Sequence, residues 1–148
     1  MNHRNGKGWR FLSTAIVSGV LLFSAAPSRS EDTAKPWVAP PAARQKKNPV
    51  KSSPDGLAAA AKGYHENCAP CHGAKGAGDG DMAKYLKQKP ANFADAKMMN
   101  AMTDGELFWK MTEGRPPMPP WKDQMTETER WQMVNYLRTL VPKGGAQK

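Results

Sequence analysis

The sequence has only two cysteines and three histidines in 148 residues, no stretch in which apolar and polar residues alternate, and no cluster of Lys and Arg beside an aromatic stripe. Each shortage removes a class of protein. Without a period-two pattern no strands are expected, and the fold class is all-α. A structural zinc site needs four ligands, and His65, three residues before Cys68, would complete a Cys2His2 set only at an unfamiliar spacing. The net charge of +9 would suit a nucleic-acid binder if it were evenly spread, but residues 1–30 carry +4 and residues 31–56 carry +2. The remaining +3 on residues 57–148 leaves the folded part mildly basic, so nucleic acid is not an expected partner. The length supports one ordinary domain.

Acidic residues are absent from the first thirty positions, where His3, Arg4, Lys7 and Arg10 precede the apolar run Phe11–Ala26 and the small residues Ser28 and Ser30. That order is a secretory signal, with Glu31 as the expected mature N-terminus. The alternative is an uncleaved anchor, although sixteen residues interrupted by Ser13, Thr14, Ser18, Gly19 and Ser24 fall short of the roughly 20 that a spanning helix needs. Either way the rest of the chain is expected to be exported to the periplasm, with the inner membrane involved only if the leader is retained. Residues 31–56 contain five prolines and no apolar periodicity and are expected to form a disordered, semi-extended linker. Trp37 is read as a solvated residue of that tail, docking onto the domain being the alternative.

Residues 57–148 are expected to form the folded domain. Helices are expected at about 57–69, capped by Ser53 or Asp55, and at about 81–88, ended by Pro90. A third opens at Thr103, with Glu106 at the capping-box position and Gly114 as its stop, and a fourth opens at Thr126 and closes at Pro142. Four short helices make a thin core, so a staple, metal or cofactor is expected to fill the interior.

Cys68-Ala69-Pro70-Cys71-His72 contains both cysteines. C-x-x-C-H is the attachment signature of c-type haem. Two thiols three positions apart can each add across a haem vinyl group, and the next residue projects an imidazole at the iron from the same turn. Cys68 and Cys71 are therefore the expected covalent attachment points of one haem c, and His72 the proximal iron ligand. A disulfide exchanger would place C-x-x-C at the start of a helix in a strand-rich setting, which this chain lacks.

With that motif, with Tyr64 four residues before it, and with Tyr136 in the Trp131–Leu137 segment, residues 57–141 resemble a class I cytochrome c. The resemblance implies a small cytochrome c fold wrapped round the haem, with the helices bearing Tyr64 and Tyr136 crossing and the small residue at that crossing falling at Ala60. The sequence supplies candidate walls for a haem pocket in Tyr64, Phe93 and Trp121, together with Leu86, Leu107, Phe108, Trp109 and Leu137.

The distal ligand decides between a closed electron-transfer site and an open one. Met111 and Met133 lie in expected helices and read as packing, and Met82 follows His72 too closely to pass round the ring. Met118 stands 46 residues after His72 in the proline-stiffened run Gly114–Trp121, which resembles the family's Met-Pro distal motif. Met118 is the expected distal ligand, and Met98, Met99, Met102 and an open site remain as alternatives. His72 is expected to donate its other ring N–H to a backbone carbonyl, and Gly73, Gly76, Gly78 and Gly80 to form a flexible loop. The expected function is electron transfer rather than enzymatic turnover, with redox proteins as transient partners and Lys75, Lys84, Lys87, Lys89, Lys110 and Lys122 as candidates to meet an acidic surface. The alternatives are a subunit fixed to a dehydrogenase or oxidase complex, and an open-site haem sensor or peroxidase.

Overall fold

The computed structural model describes residues 36–143, so the expected signal segment and Glu31–Lys35 lie outside the described residues. Six α-helices occur among the described residues: α1 (Pro41–Gln45), α2 (Pro54–Asn67), α3 (Ala69–His72), α4 (Ala96–Ala101), α5 (Asp104–Glu113) and α6 (Glu127–Thr139). A single 3₁₀ turn covers Ala83–Tyr85. The all-α class holds, with six helices where about four were expected. None of them is long and apolar enough to cross a membrane.

Local chemistry sets the helix starts. Ser53 caps α2 by accepting from the Gly56 N–H, with Pro54 at the first helical position, where its missing donor is harmless. Thr103 caps α5 by accepting from Glu106 N–H, but the Glu106 carboxylate turns to Lys110 at 2.8 Å, so only half of the expected capping box forms. At Thr126 the box is complete: its hydroxyl accepts from Glu129 N–H while the Glu129 carboxylate accepts from Thr126 N–H. The helix expected over 81–88 shrinks to the 3₁₀ turn because Met82 and Tyr85 stay exposed, leaving no apolar face whose burial could sustain a longer helix. The short α4, capped by Asp95, was not expected; Met99 on it is fully buried.

The principal helix pairing is α2 against α6. Small residues on α2 permit it: Ala60 is buried, and a Cβ at Gly56 or Gly63 would meet Gln132 and Met133 of α6 at 3.2 and 3.6 Å. Tyr64 on α2 faces Tyr136 on α6, ring centroids 5.3 Å apart. Helix α5 packs on α6 mainly through Phe108, stacked on Trp131 at 3.9 Å. Arg138 of α6 binds α4 to α5: its guanidinium donates to the carbonyls of Met99 and Met102 at the end of α4 and pairs with Asp104 at 2.7 Å. The carbonyls lie at the C-terminal end of α4, where a cation is favourable, and the Asp104 carboxylate lies in the first turn of α5.

The expected linker is the largest correction. From Pro36 onward it packs as a strap on the domain, and Ala39 in it is 1% exposed. Helix α1 lies against α5 so closely that a Cβ at Gly105 would come within 2.1 Å of the Ala43 carbonyl oxygen. Thr103 donates its hydroxyl proton to the Arg44 carbonyl at 2.8 Å. Asn48 donates to the Trp131 carbonyl and to Asn135 Oδ1, and Asn135 returns a bond to the Val50 carbonyl. Trp37 is docked rather than solvated, its ring 6.3 Å from that of Trp109. Proline richness points to disorder, yet proline also lowers the entropy lost on ordering, and specific hydrogen bonds to Thr103 at the start of α5 and to Trp131 and Asn135 of α6 supply what a hydrophobic face would otherwise provide.

Candidate haem-attachment site

Helix α2 ends at Asn67, and Cys68, its C-cap, leads directly into α3, so the motif occupies one continuous turn. The Cys71 and His72 N–H groups both donate to the Cys68 carbonyl, at 3.1 and 2.8 Å. Both thiols are free and half-buried. Burial, and secondarily the neighbouring Cys71, push the Cys68 thiol up to about 11. A thiol so far from ionisation is a poor disulfide-exchange nucleophile, and no group of three potential metal-ligating His, Cys, Asp or Glu side chains occurs among the described residues. Burial of the Cys68 thiol argues against the exchanger reading.

The loop after His72 is ordered, not flexible. It wraps back over the motif: Gly78 N–H donates to the His72 carbonyl, Gly80 N–H to the Cys71 carbonyl and Met82 N–H to the Pro70 carbonyl. Gly73 opens it with φ of 80°, a backbone conformation that a residue with a side chain rarely adopts, so glycine is what ends α3 in this way. Its carbonyl accepts from the Tyr64 hydroxyl at 2.8 Å and from Gly76 N–H at 3.0 Å. Tyr64 is fully buried, and burial, followed by the proximity of Cys68, raises its phenol well above the ordinary tyrosine range.

The acceptor for the His72 ring, unnamed in the sequence, is the Ala91 carbonyl, 3.1 Å from Nδ1. A carbonyl can only accept, so Nδ1 carries the proton and Nε2 is left with its lone pair. Burial holds the imidazole below its ordinary value, against the opposing effect of the Ala91 bond, so His72 is neutral near pH 7. Phe93 stacks on the ring at 4.6 Å, and its own N–H donates to the Gly76 carbonyl. No sequence signal could have named Ala91, because the group used is main chain.

The donor set fits a covalently held haem. Two thiols and a neutral imidazole with a bare Nε2 share one turn, and Tyr64, Phe93 and Trp121 all belong to the buried core, against which Cys68, Ala91 and Met118 pack. Of the other residues assigned to the pocket, Leu107 and Leu137 are buried in the same core and Leu86 is half-buried. Phe108 is occupied by Trp131 and by the cations of Lys46 and Arg130, and Trp109 by Trp37.

Met118 sits where the Gly114–Trp121 segment doubles back. Its N–H donates to the Arg115 carbonyl at 2.8 Å and its carbonyl accepts from Arg115 N–H at 3.0 Å, with a cis peptide between Pro116 and Pro117 inside the bridge. The segment is fixed to α5 at both ends, by Gly114 N–H to the Lys110 carbonyl and Trp121 N–H to the Met111 carbonyl. Among the rivals, Met99 is fully buried, while the Met102 sulfur accepts from Lys110 Nζ at 3.5 Å. Met98 is half-buried against the core, as is Met118.

The cytochrome c family model matches residues 57–141. No curated protein matches the chain. Among solved structures the chain is similar to one in the reducing HAO-like protein complex Kustc0457/Kustc0458 of Kuenenia stuttgartiensis, with 27% identity and a TM-score of 0.57 over 64% of this chain and 47% of that one. It is also similar to the KustC0563 c-type cytochrome, with 28% identity and a TM-score of 0.50 over 56% of this chain and 98% of that one. The chain thus spans about half the length of the HAO-like complex chain that it resembles.

Proposed function

The chain belongs to the cytochrome c family, proteins of haem-based electron transfer with a covalently bound haem c, and on that premise we propose that it is an exported single-haem electron carrier whose iron is held between His72 and Met118. The haem, when bound, supplies one-electron exchange between ferric and ferrous iron. The protein's own residues do the rest. Cys68 and Cys71 would hold the ring through thioether bonds. His72 presents Nε2, and the Nδ1–H bond to the Ala91 carbonyl orients the imidazole and raises its basicity. The buried side chains of Tyr64, Phe93 and Trp121 exclude water, and a low-dielectric surrounding disfavours the more highly charged ferric state, raising the potential.

The observation that carries the Met118 assignment is the hydrogen-bonded Arg115–Met118 bridge in a loop with four prolines. A weak thioether ligand gains most from a backbone that loses little freedom on ligation. Of the six candidate docking lysines, Lys110 is engaged with Glu106 and Lys122 with Glu113, whereas Lys75, Lys84, Lys87 and Lys89 are exposed around the loop that follows the motif. That exposed basic group supports transient docking to an acidic redox partner outside the cytoplasm.

The deciding experiment is the ferric optical spectrum of the haem-loaded protein, with and without Met118→Leu. A weak long-wavelength sulfur-to-iron charge-transfer band that vanishes in the variant supports the closed carrier. A wild type that lacks the band and binds carbon monoxide at once refutes it in favour of the open-site sensor or peroxidase. A second reading, a cytochrome subunit fixed in a larger assembly, draws on the likeness to a chain of the HAO-like complex. It differs in predicting persistent co-purification with a larger partner rather than salt-sensitive encounter.

A further inference from the structure

The strap lies before the part of the chain that the family model covers, yet it reaches the Met118 loop. Trp37 is the point of contact. The Arg115 guanidinium lies 5.5 Å from the centre of the Trp37 indole, Lys110 Nζ lies 5.7 Å from it, and Trp109 packs at 6.3 Å. Trp37 is in turn held in place by the strap, whose Ala39 is buried and whose α1 is seated on Gly105.

Arg115 carries the main-chain half of the bridge to Met118, and its side chain also donates to Gln88 Oε1 at 3.1 Å. Pro116, Pro117, Pro119 and Pro120 have no N–H to donate, so this stretch of the loop has fewer backbone bonds available to pin it to the domain. Its link to the N-terminal segment runs through the Arg115 side chain. We infer that Trp37 is a positioning residue for the distal ligand: by holding Arg115 from outside, it keeps the Arg115–Met118 bridge closed and makes the iron less available to exogenous ligands. This inference rests on Met118 being the distal ligand.

An external ligand binds only to the fraction of molecules in which Met118 has left the iron, so its apparent affinity reports how firmly the loop is held. The test is a titration of ferric haem-loaded protein with imidazole at neutral pH, followed by the loss of the charge-transfer band, with thermal melts confirming that each variant is folded at the titration temperature. Removing the ring in Trp37→Ala is expected to raise imidazole affinity about three- to fivefold, equivalent to about 0.6–1 kcal/mol, the range of a partly exposed cation–π contact. Trp37→Phe, which keeps an aromatic face, recovers most of the difference. Arg115→Gln, which also gives up the bond to Gln88, raises affinity at least as much, and the double variant Trp37→Ala/Arg115→Gln rises no further than Arg115→Gln alone. Unchanged imidazole affinity in Trp37→Ala and Arg115→Gln, or full additivity in the double variant, overturns the inference while leaving Met118 ligation intact. A band that persists in Met118→Leu overturns the ligand assignment itself, and the inference with it.

Discussion

Gly105→Ala sets two well-understood effects against each other. In an isolated helix the change is favourable by about 1 kcal/mol, because alanine loses less backbone entropy than glycine. Here the new Cβ would stand 2.1 Å from the Ala43 carbonyl oxygen and 2.7 Å from that of Lys46, where ordinary contact begins at 3.4 Å. Both neighbours are main chain, so neither can turn aside, and α1 must retreat by about 1.3 Å. The retreat stretches the Thr103–Arg44 hydrogen bond, worth about 1 kcal/mol, and the Lys46–Phe108 cation–π contact, worth about 0.5–1 kcal/mol. With partial loss of the Ala39 and Trp37 packing, the disruption reaches about 2–3 kcal/mol, and the net expectation is destabilisation by about 1–2 kcal/mol. The assay is guanidinium unfolding of the haem-loaded protein, paired with limited trypsin digestion. Arg44, Lys46 and Lys47 all lie on the strap, so its release should speed cleavage there before the rest of the domain is cut. A higher unfolding midpoint with unchanged cleavage would show that helix propensity wins and that the strap is not seated on Gly105.

Two further perturbations probe the site's supports. Arg138→Lys replaces a fork that reaches Asp104 and the carbonyls of Met99 and Met102 with a single ammonium that cannot serve all three, so about 2 kcal/mol should be lost, with faster amide hydrogen exchange concentrated in α4. Tyr64→Phe should cost only about 1 kcal/mol at pH 7, because the Gly73 carbonyl keeps its bond from Gly76 N–H. The Tyr64 phenol is raised by burial, so its contribution to stability is complete below the unfolded tyrosine value near 10 and is lost as pH rises toward the folded one. Wild type should therefore lose stability above pH 10 faster than Tyr64→Phe, and denaturant unfolding between pH 7 and 11 should show the gap closing; a constant gap refutes the coupling.

What could be read from the sequence was what local chemistry determines. The attachment turn follows from five consecutive residues, and the starts of α2, α5 and α6 follow from caps at Ser53, Thr103 and Thr126 that act within three positions. The α2–α6 crossing was foreshadowed by Ala60 and the two tyrosines. What escaped notice depends on groups that carry no side-chain signature or on partners distant in sequence. The Ala91 carbonyl that orients His72 is main chain, 19 residues away. The strap looked like a linker because composition counts prolines, and does not see that Asn48 meets Trp131 and Asn135, 83 and 87 residues later. The glycines after His72 were read as freedom, whereas at Gly73 and its neighbours the missing side chain allows the loop to close on the motif.

If His72 and Met118 hold the iron as proposed, the two sides of the site are held by different means. On the His72 side, the proposed attachment points Cys68 and Cys71, the Ala91 bond, the Tyr64–Gly73 bond and the returning loop all fall within residues 64–93, so contacts close in sequence would secure the proximal ligand. On the Met118 side, the loop depends on α5 at its two ends and, through the Arg115 side chain near its start, on Gln88 and on a strap some eighty residues earlier. Segments held by few, partly exposed contacts are the first to part in local opening, whereas the α2–α6 core is buried. Partial unfolding should therefore release Met118 while His72 stays on the iron, converting a closed carrier into an open, ligand-binding haem before the fold as a whole is lost. Denaturant should accordingly abolish the charge-transfer band at lower concentration than it abolishes the helical signal of α2 and α6, and coincident transitions would mean that the distal loop and the core form one cooperative unit.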